Sequence, residues 1–234
     1  MRRAEIEVTV GRRHRLAVKR ALDVVGAVAG MIVLSPVFVW IALAIVLVDG
    51  RPILWRQERA GLGGELFILV KFRTMRPPRR DEVWYQTDAQ RVTRIGRILR
   101  STSVDELPEL WNVLLGDMSL VGPRPLLAEY LDRYTPEERR RHEMRPGLTG
   151  WAVVNGRHAT RFEDRLRLDV WYVDHWSLGL DLRILARTVP QVLRRANVSA
   201  TQDHATIDFP RRFQVGLEQS ADRMPRKMLD DRET

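Results

Sequence analysis

Asp105 and Glu106 stand side by side ahead of an apolar-patterned stretch, with Arg100 one turn before them and Arg124 in the segment GPRP after them. Two carboxylates set between two guanidinium groups suit chemistry on a phosphate. One acid can face a reacting phosphorus, the other can hold a metal, and arginine can grip non-bridging oxygens in bidentate fashion. Adjacent residues on a helix point about 100° apart, so the two acids are expected to do different jobs. The plainer alternative is helix capping. Ser103 with Glu106 three residues later fits a capping box. A start at Asp105 instead places Pro108 in the first turn, where its missing N–H is harmless, and this reading favours Asp105 at or next to the cap. Both acids then sit at the positive end of a helix. The five histidines show no metal-ligand spacing, and no P-loop, GxGxxG or GxSxG occurs.

The elements around this stretch follow from periodicity. Leu107, Leu110, Trp111, Leu114 and Leu115 recur at helical spacing and predict a buried face. A short basic helix is expected over Arg91 to Leu99. Upstream, Ile53-Leu54-Trp55 and Leu66 to Val70 read as two strands joined by the turn GLGGE. The second strand runs into KFRTM (Lys71 to Met75), whose basic residues are either a solvated edge or contacts to phosphates; Lys71 and Arg73 are candidate substrate-binding residues. Pro77 to Asp88 reads as a flexible loop. Leu126 to Met144 looks helical, restarting at Thr135 as N-cap with Pro136 at the first helical position. RPGLTGWAVVNGR (Arg145 to Arg157) reads as turn, short strand at Trp151 to Val154, turn. Arg161 to Trp176 is an aromatic-rich helix. Asp181 to Arg195 carries an apolar stripe with arginines, a pattern used equally for a membrane interface and for packing on a core.

Val24 to Val48 holds 25 residues without a charge, enough to cross a bilayer. Two features argue against a plain span. Ser35-Pro36 lies mid-run, where proline removes a backbone donor, and both flanks are basic, without the asymmetry of a spanning helix. A helix that bends at Ser35-Pro36 and leaves by the face it entered brings both flanks to an anionic leaflet. The Ser35 hydroxyl is a candidate partner for backbone groups freed by the bend. Lys19, Arg20 and Asp23 fall at the interface, where they can hold lipid headgroups or pair internally. The net charge of +9 implies an anionic partner: nucleic acid, phospholipid or phosphorylated substrate. No nucleic-acid-binding motif is present, and the absence of cysteine excludes disulfides and thiolate chemistry.

The motifs KRALD (Lys19 to Asp23), Ser35-Pro36, RQERAG (Arg56 to Gly61), KFRTM, TRIGRILRSTSVDELPELWNVLLGDMSLVGPRP (Thr93 to Pro125), RPGLTGWAVVNGR and LDVWYVDHWSLGLDLRIL (Leu168 to Leu185), in this order, resemble the bacterial sugar transferases, monotopic polyprenyl-phosphate phosphoglycosyl transferases. The resemblance implies transfer of a sugar-1-phosphate from a UDP-sugar to undecaprenyl phosphate, with release of UMP, as the first membrane step of glycan assembly. It further implies Asp105 as nucleophile in a covalent aspartyl-phosphosugar mechanism, Glu106 as the holder of Mg²⁺, and Arg100 and Arg124 as donor-phosphate contacts. Val153 departs from the family's usual glutamine. The tail segment VSATQDHATIDF is similar to that of members using N-acetylated sugars.

The expected fold is α/β and mainly helical: a basic N-terminal segment 1–18, a re-entrant membrane helix-break-helix 19–50, a cytoplasmic catalytic domain with amphipathic interfacial helices 51–200, and a polar tail 201–234. Expected partners are the UDP-sugar, undecaprenyl phosphate and anionic inner-leaflet lipid, with a homodimer left open and no nucleic acid. The expected location is the cytoplasmic face of a bacterial inner membrane. A membrane-anchored, non-catalytic assembly scaffold and a basic nucleic-acid binder are the alternatives from other classes.

Overall fold

A computed structural model describes residues 2–77, 88–156 and 161–193. The helix α1 (Arg2–Val48) takes in both the basic N-terminal segment and the apolar run. It continues through Pro36, so the helix-break-helix expected there is one helical element with a proline inside it. The local reason is visible. Proline cannot donate to the carbonyl four residues back, which is that of Ile32, and the Ser35 hydroxyl donates to this same oxygen at 2.8 Å. The 37-residue stretch Arg12–Val48 is helical and contains a run long and apolar enough to cross a membrane. Their outward face, including Val25, Ile32, Val33, Val39, Trp40 and Leu47, is exposed.

The rest of the chain packs against α1 on both sides of Pro36. Strands β1 (Leu54–Ala60) and β2 (Leu66–Phe72) form an antiparallel pair, with Leu54 opposite Phe72 and Ala60 opposite Leu66. This is the expected hairpin. After it come α2 (Asp88–Arg91), α3 (Arg94–Thr102), a 3-10 turn (Val104–Glu106) and α4 (Glu109–Leu115). Upstream of Pro36, Ala27, Met31 and Leu34 join a core cluster with Leu69, Leu110, Val113 and Met118. Downstream, Phe38, Ile41 and Ile45 join Phe72, Leu99 and Ile95.

Polar bonds fasten both ends of the apolar run of α1. Lys19 Nζ donates to Asp181 at 2.6 Å and to the Val121 carbonyl at 2.9 Å. Arg20 donates to the Val113 and Leu114 carbonyls at the end of α4. Asp23 accepts from the Ser119 hydroxyl and the Leu120 N–H, each at 3.0 Å. The three residues considered for headgroup contact therefore pair internally. At the other end Arg73 donates to the carbonyls of Asp49, Gly50 and Arg51.

A second, parallel pair joins β3 (Ser119–Val121) to β4 (Gly147–Thr149). The strand lies here and not at Trp151 to Val154 because two glycine backbones meet: a Cβ on Gly147 would stand 2.0 Å from the Gly122 nitrogen. Trp151–Gly156 is instead helix α6, which begins where the Val154 N–H reaches the Gly150 carbonyl and is packed by Trp151 stacking on Trp171 at 4.7 Å. Between the strands the expected long helix is two 3-10 segments (Ala128–Arg133 and Arg140–Glu143) around the short α5 (Pro136–Arg139). Thr135 is the N-cap and Pro136 the first helical residue, as expected, and Glu138 completes a capping box with Thr135.

Two long helices complete the domain, α7 (Phe162–His175) and α8 (Leu178–Leu193). On α8, Ile184 is buried while Leu182, Ala186 and Val189 face out beside Arg183 and Arg187. The predicted stripe divides: Leu185 packs on the core cluster, while Leu182, Ala186 and Val189 form an exposed apolar surface suited to a membrane interface. The expected flexible loop and the polar tail fall largely or wholly outside the described residues.

Candidate active site

Gly96 lets α3 lie on the end of β2, since a Cβ there would stand 1.9 Å from the Thr74 carbonyl oxygen. Thr93 caps this helix by accepting from the Gly96 N–H at 2.9 Å. One turn on, Arg100 donates from Nε to Thr74 Oγ1 at 2.9 Å and from Nη2 to Met75 Sδ at 2.8 Å. Its Nη1 is buried and has no partner among the described residues. α3 ends at Ser103, which takes a left-handed conformation (φ 57°, ψ 19°) that costs a non-glycine residue about 1 kcal/mol or more. That reversal aims the next three residues.

Asp105 and Glu106 fall in the 3-10 turn that follows, so neither caps α4. Pro108 occupies the cap position without a side-chain bond, and Ser103 forms no capping box. Tertiary placement, with Ser103 closing α3, overrides the local capping signal. The face of α4 also differs from expectation: Leu110, Asn112 and Val113 are buried, while Trp111 and Leu115 are exposed with Ile98 nearby in sequence on α3. Asn112 enters the core because its amide completes β2, accepting from the Val70 N–H and donating to the Ile68 carbonyl.

The two carboxyls are shifted in opposite directions. Asp105 is 6% exposed. Burial, reinforced by adjacent Glu106, pushes its carboxyl up to about 6 against the pull of Lys71, Arg100 and Arg124. Burial alone would raise Glu106 as well, but the Arg124 charge and hydrogen bond hold it below the usual carboxylate range. Lys71 is lowered by burial, with Asp105 opposing and Arg59 and Arg100 adding to the shift. The structure therefore brings Asp105, Glu106, Arg100, Arg124 and Lys71 into one electrostatic cluster. It leaves out Arg73, whose guanidinium is engaged by the α1–β1 turn. Two residues apart, Lys71 and Arg73 would share a face if the strand continued, but β2 ends at Phe72, and Arg73 beyond it turns to the carbonyls of Asp49, Gly50 and Arg51.

Three further groups belong to the same surroundings and were not among the sequence candidates. Buried Glu109 is raised well above the usual range by burial and then by Glu106. Arg59, at the end of β1, is lowered to about 10 by burial and then by Arg124. Arg165 on α7 is lowered for the same two reasons in the same order. Arg59 lies within RQERAG, where its position in the motif was the available signal; Glu109 follows Asp105 by one helical turn. Arg165 carried no signal, because its approach to Arg124 comes from a separate helix.

A family model described as bacterial sugar transferase matches residues 14–195. The chain is 45% identical over 193 residues, 82% of its length and 95% of the relative's, to a Bacillus subtilis protein described as the uncharacterized sugar transferase EpsL. It is 47% identical over 189 residues, 76% of its length and 71% of the relative's, to the UDP-glucose:undecaprenyl-phosphate glucose-1-phosphate transferase of Caulobacter vibrioides. The undecaprenyl-phosphate galactose phosphotransferase of Salmonella typhimurium is 35% identical over 207 residues, 81% of this chain and 43% of that protein.

Proposed function

The chain belongs to the bacterial sugar transferase family, and from that premise we propose that it transfers a sugar-1-phosphate from a UDP-sugar to undecaprenyl phosphate, releasing UMP. The observation that carries this reading is a buried carboxyl, Asp105, raised by its surroundings and ringed by Lys71, Arg100 and Arg124, next to a carboxylate held ionised. Burial strips water from the nucleophile, and the cations draw a phosphate to it.

In the first step an Asp105 oxygen bonds to the sugar-linked phosphorus while the bond to the UMP oxygen breaks, leaving an aspartyl-phosphosugar. In the second, an oxygen of undecaprenyl phosphate attacks the same phosphorus, the Asp105–phosphorus bond breaks, and the free carboxylate returns. Asp105 attacks as a carboxylate, and the UMP that leaves and the undecaprenyl phosphate that enters are phosphates already ionised at neutral pH, so the chain need supply no strong general base. Lys71, Arg100 and Arg124 neutralise the charge on non-bridging oxygens in both steps.

Mg²⁺ binds through one or two carboxylates together with substrate phosphates. Glu106, ionised beside Arg124, fits that need, and among the described residues no group of three ligands forms a complete cage. Glu106 would hold Mg²⁺, which when bound offsets the repulsion between carboxylate and phosphate.

The membrane arrangement we propose is re-entrant, with the domain on the cytoplasmic face of the inner membrane. What supports it is that Lys19 and Asp49 are both bonded to one domain although the apolar run lies between them. A helix crossing the bilayer would put those two ends on opposite sides. The exposed stripe of α8 suits the same interface.

The test is incubation of the purified chain with Mg²⁺ and a panel of UDP-sugars. UMP release with at least one sugar is expected. Absence of UMP with every sugar, in the presence of undecaprenyl phosphate, overturns the reading in favour of a non-catalytic scaffold.

A further inference from the structure

Arg124 has arginine on two sides. The end of β1 reaches the segment after it: the Ala60 N–H donates to the Leu126 carbonyl at 3.2 Å, and Arg59 pairs with Leu127 in an isolated antiparallel bridge. From the other direction, Arg141 donates to the Arg124 carbonyl at 2.6 Å while bound to buried Asp169 on α7. Arg165 precedes Asp169 by four residues and so shares its helix face. Nε of Arg59 and Nε of Arg165 are both buried and without a hydrogen-bond partner among the described residues. Glu106 pairs with Arg124, and Asp169 with Arg141; neither Arg59 nor Arg165 has a carboxylate within ion-pair distance there. Both side chains are half-buried, Arg59 Nη2 donates to Gln57, and Glu109, Glu129 and Asp169 act on them only from a distance; two buried N–H donors left without a partner cost folding free energy and are reason to look for an anion that completes them.

The cluster around the acids also has two ends. Lys71 and Arg100 act on Asp105, whereas the charge that most opposes Arg59 and Arg165 is that of Arg124, with Arg59 also reaching Lys71 and Glu106. The substrate has two ends to match. In an in-line displacement the leaving oxygen departs opposite the attacking one, and the next nucleophile must enter along that same line. UMP leaving and polyprenyl phosphate entering are both phosphate monoesters of a larger group, and both must present an oxygen at that place.

We propose that Arg59 and Arg165, flanking Arg124, form one phosphate-monoester subsite that holds UMP as it departs and then the acceptor phosphate as it arrives. This rests on the transferase reading above. Bidentate guanidinium contacts suit a phosphate in either role because neither depends on the uridine or the polyprenyl chain. The subsite also orders the reaction: the acceptor cannot enter until UMP has gone.

The test uses the full chain in detergent, with UMP as inhibitor and undecaprenyl phosphate as varied substrate. In the wild type UMP should compete with undecaprenyl phosphate. Arg165→Gln, and separately Arg59→Gln, should raise the inhibition constant of UMP and the KM of undecaprenyl phosphate together, each by about tenfold or more. Arg165→Lys should recover part of both, which a purely structural role would not produce. If either Gln variant that keeps its wild-type melting temperature leaves both constants within about twofold, or moves only one of them, the shared subsite is overturned while the transferase reading stands. If the wild type releases no UMP, both are overturned.

Discussion

Arg124, in the loop after β3, donates a hydrogen bond to Glu106, 18 residues earlier in the 3-10 turn between α3 and α4. This pair fixes Glu106 as an anion and leaves its neighbour Asp105 as the acid whose charge is costly. The asymmetry gives each carboxylate a different titration, and hence a direct pH signature.

Formation of the sugar-phosphate adduct requires Asp105 ionised, and its carboxyl is raised to about 6. Single-turnover UMP release should be constant above pH 7 and fall as pH drops through 6, to about a tenth of its plateau one unit below. Glu106, held low, should not contribute to that limb. Rates measured from pH 5 to 8 that stay flat would count against Asp105 as the nucleophile.

The same burial opposes folding. A folded-state value above the ordinary 3.8 means that the folded chain binds the extra proton between pH 3.8 and about 6, so stability falls as pH rises through that window. Asp105→Asn removes the charge and should stabilise the fold at pH 7.5 by up to on the order of 2–3 kcal/mol, while abolishing turnover. Melting temperatures at pH 4 and pH 7.5 check this: the gain should be present at the higher pH and close to zero at the lower.

Lys19 and Asp181 form a buried pair that Tyr172 and Trp176 also bond, tying α1 to α7 and α8. Lys19→Met leaves Asp181 without its cation and should cost about 3–5 kcal/mol. Affinity for anionic vesicles should change little, because Lys19 faces the protein. Denaturation in micelles and vesicle co-sedimentation separate the two effects.

Arg73 and Lys71 provide a matched contrast. Arg73→Gln should lower the melting temperature by several degrees through the lost bonds to the Asp49, Gly50 and Arg51 carbonyls, with the KM for UDP-sugar unchanged. Lys71→Gln should do the reverse, leaving melting nearly unchanged and cutting kcat/KM by tenfold or more, since the Lys71 ammonium acts on Asp105 and, unlike Arg73, is not engaged by backbone carbonyls among the described residues. Equal KM effects from the two variants would contradict this division.

Re-entry at Pro36 can be read with single cysteines, because the chain has none of its own. Cysteine at exposed Arg12 and at exposed Arg97 should react with a membrane-impermeant reagent from the same side of an inverted vesicle. Reaction from opposite sides would require a spanning helix.

The sequence already pointed to much of this arrangement where local chemistry decided it. The β1–β2 hairpin followed from its glycine turn, the Thr135 N-cap from the Pro136 that follows it, and the pairing of Asp105 and Glu106 with Arg100 and Arg124 from residue type. What escaped was set by distant contacts. Trp151 to Val154 looked like a strand until Trp171 was available to stack on Trp151. Asp105 looked like the cap of α4, with Ser103 as the alternative, because nothing local shows that Ser103 closes α3 in a left-handed turn and leaves Pro108 at the cap. Lys19, Arg20 and Asp23 looked like headgroup ligands because Asp181, Val113 and Ser119 lie some 90 residues or more away. Arg165 joined the site only through the packing of α7.

The central claim is that Asp105 becomes covalently attached to the transferred sugar-phosphate. Mass spectrometry of the intact chain after incubation with Mg²⁺ and the UDP-sugar that yields UMP, without acceptor, tests it most directly. The account predicts a mass increase equal to one sugar-phosphate, located on the peptide containing Asp105, absent from Asp105→Asn and discharged by undecaprenyl phosphate. Full turnover by Asp105→Asn, or UMP release by the wild type with no adduct on that peptide, would contradict it.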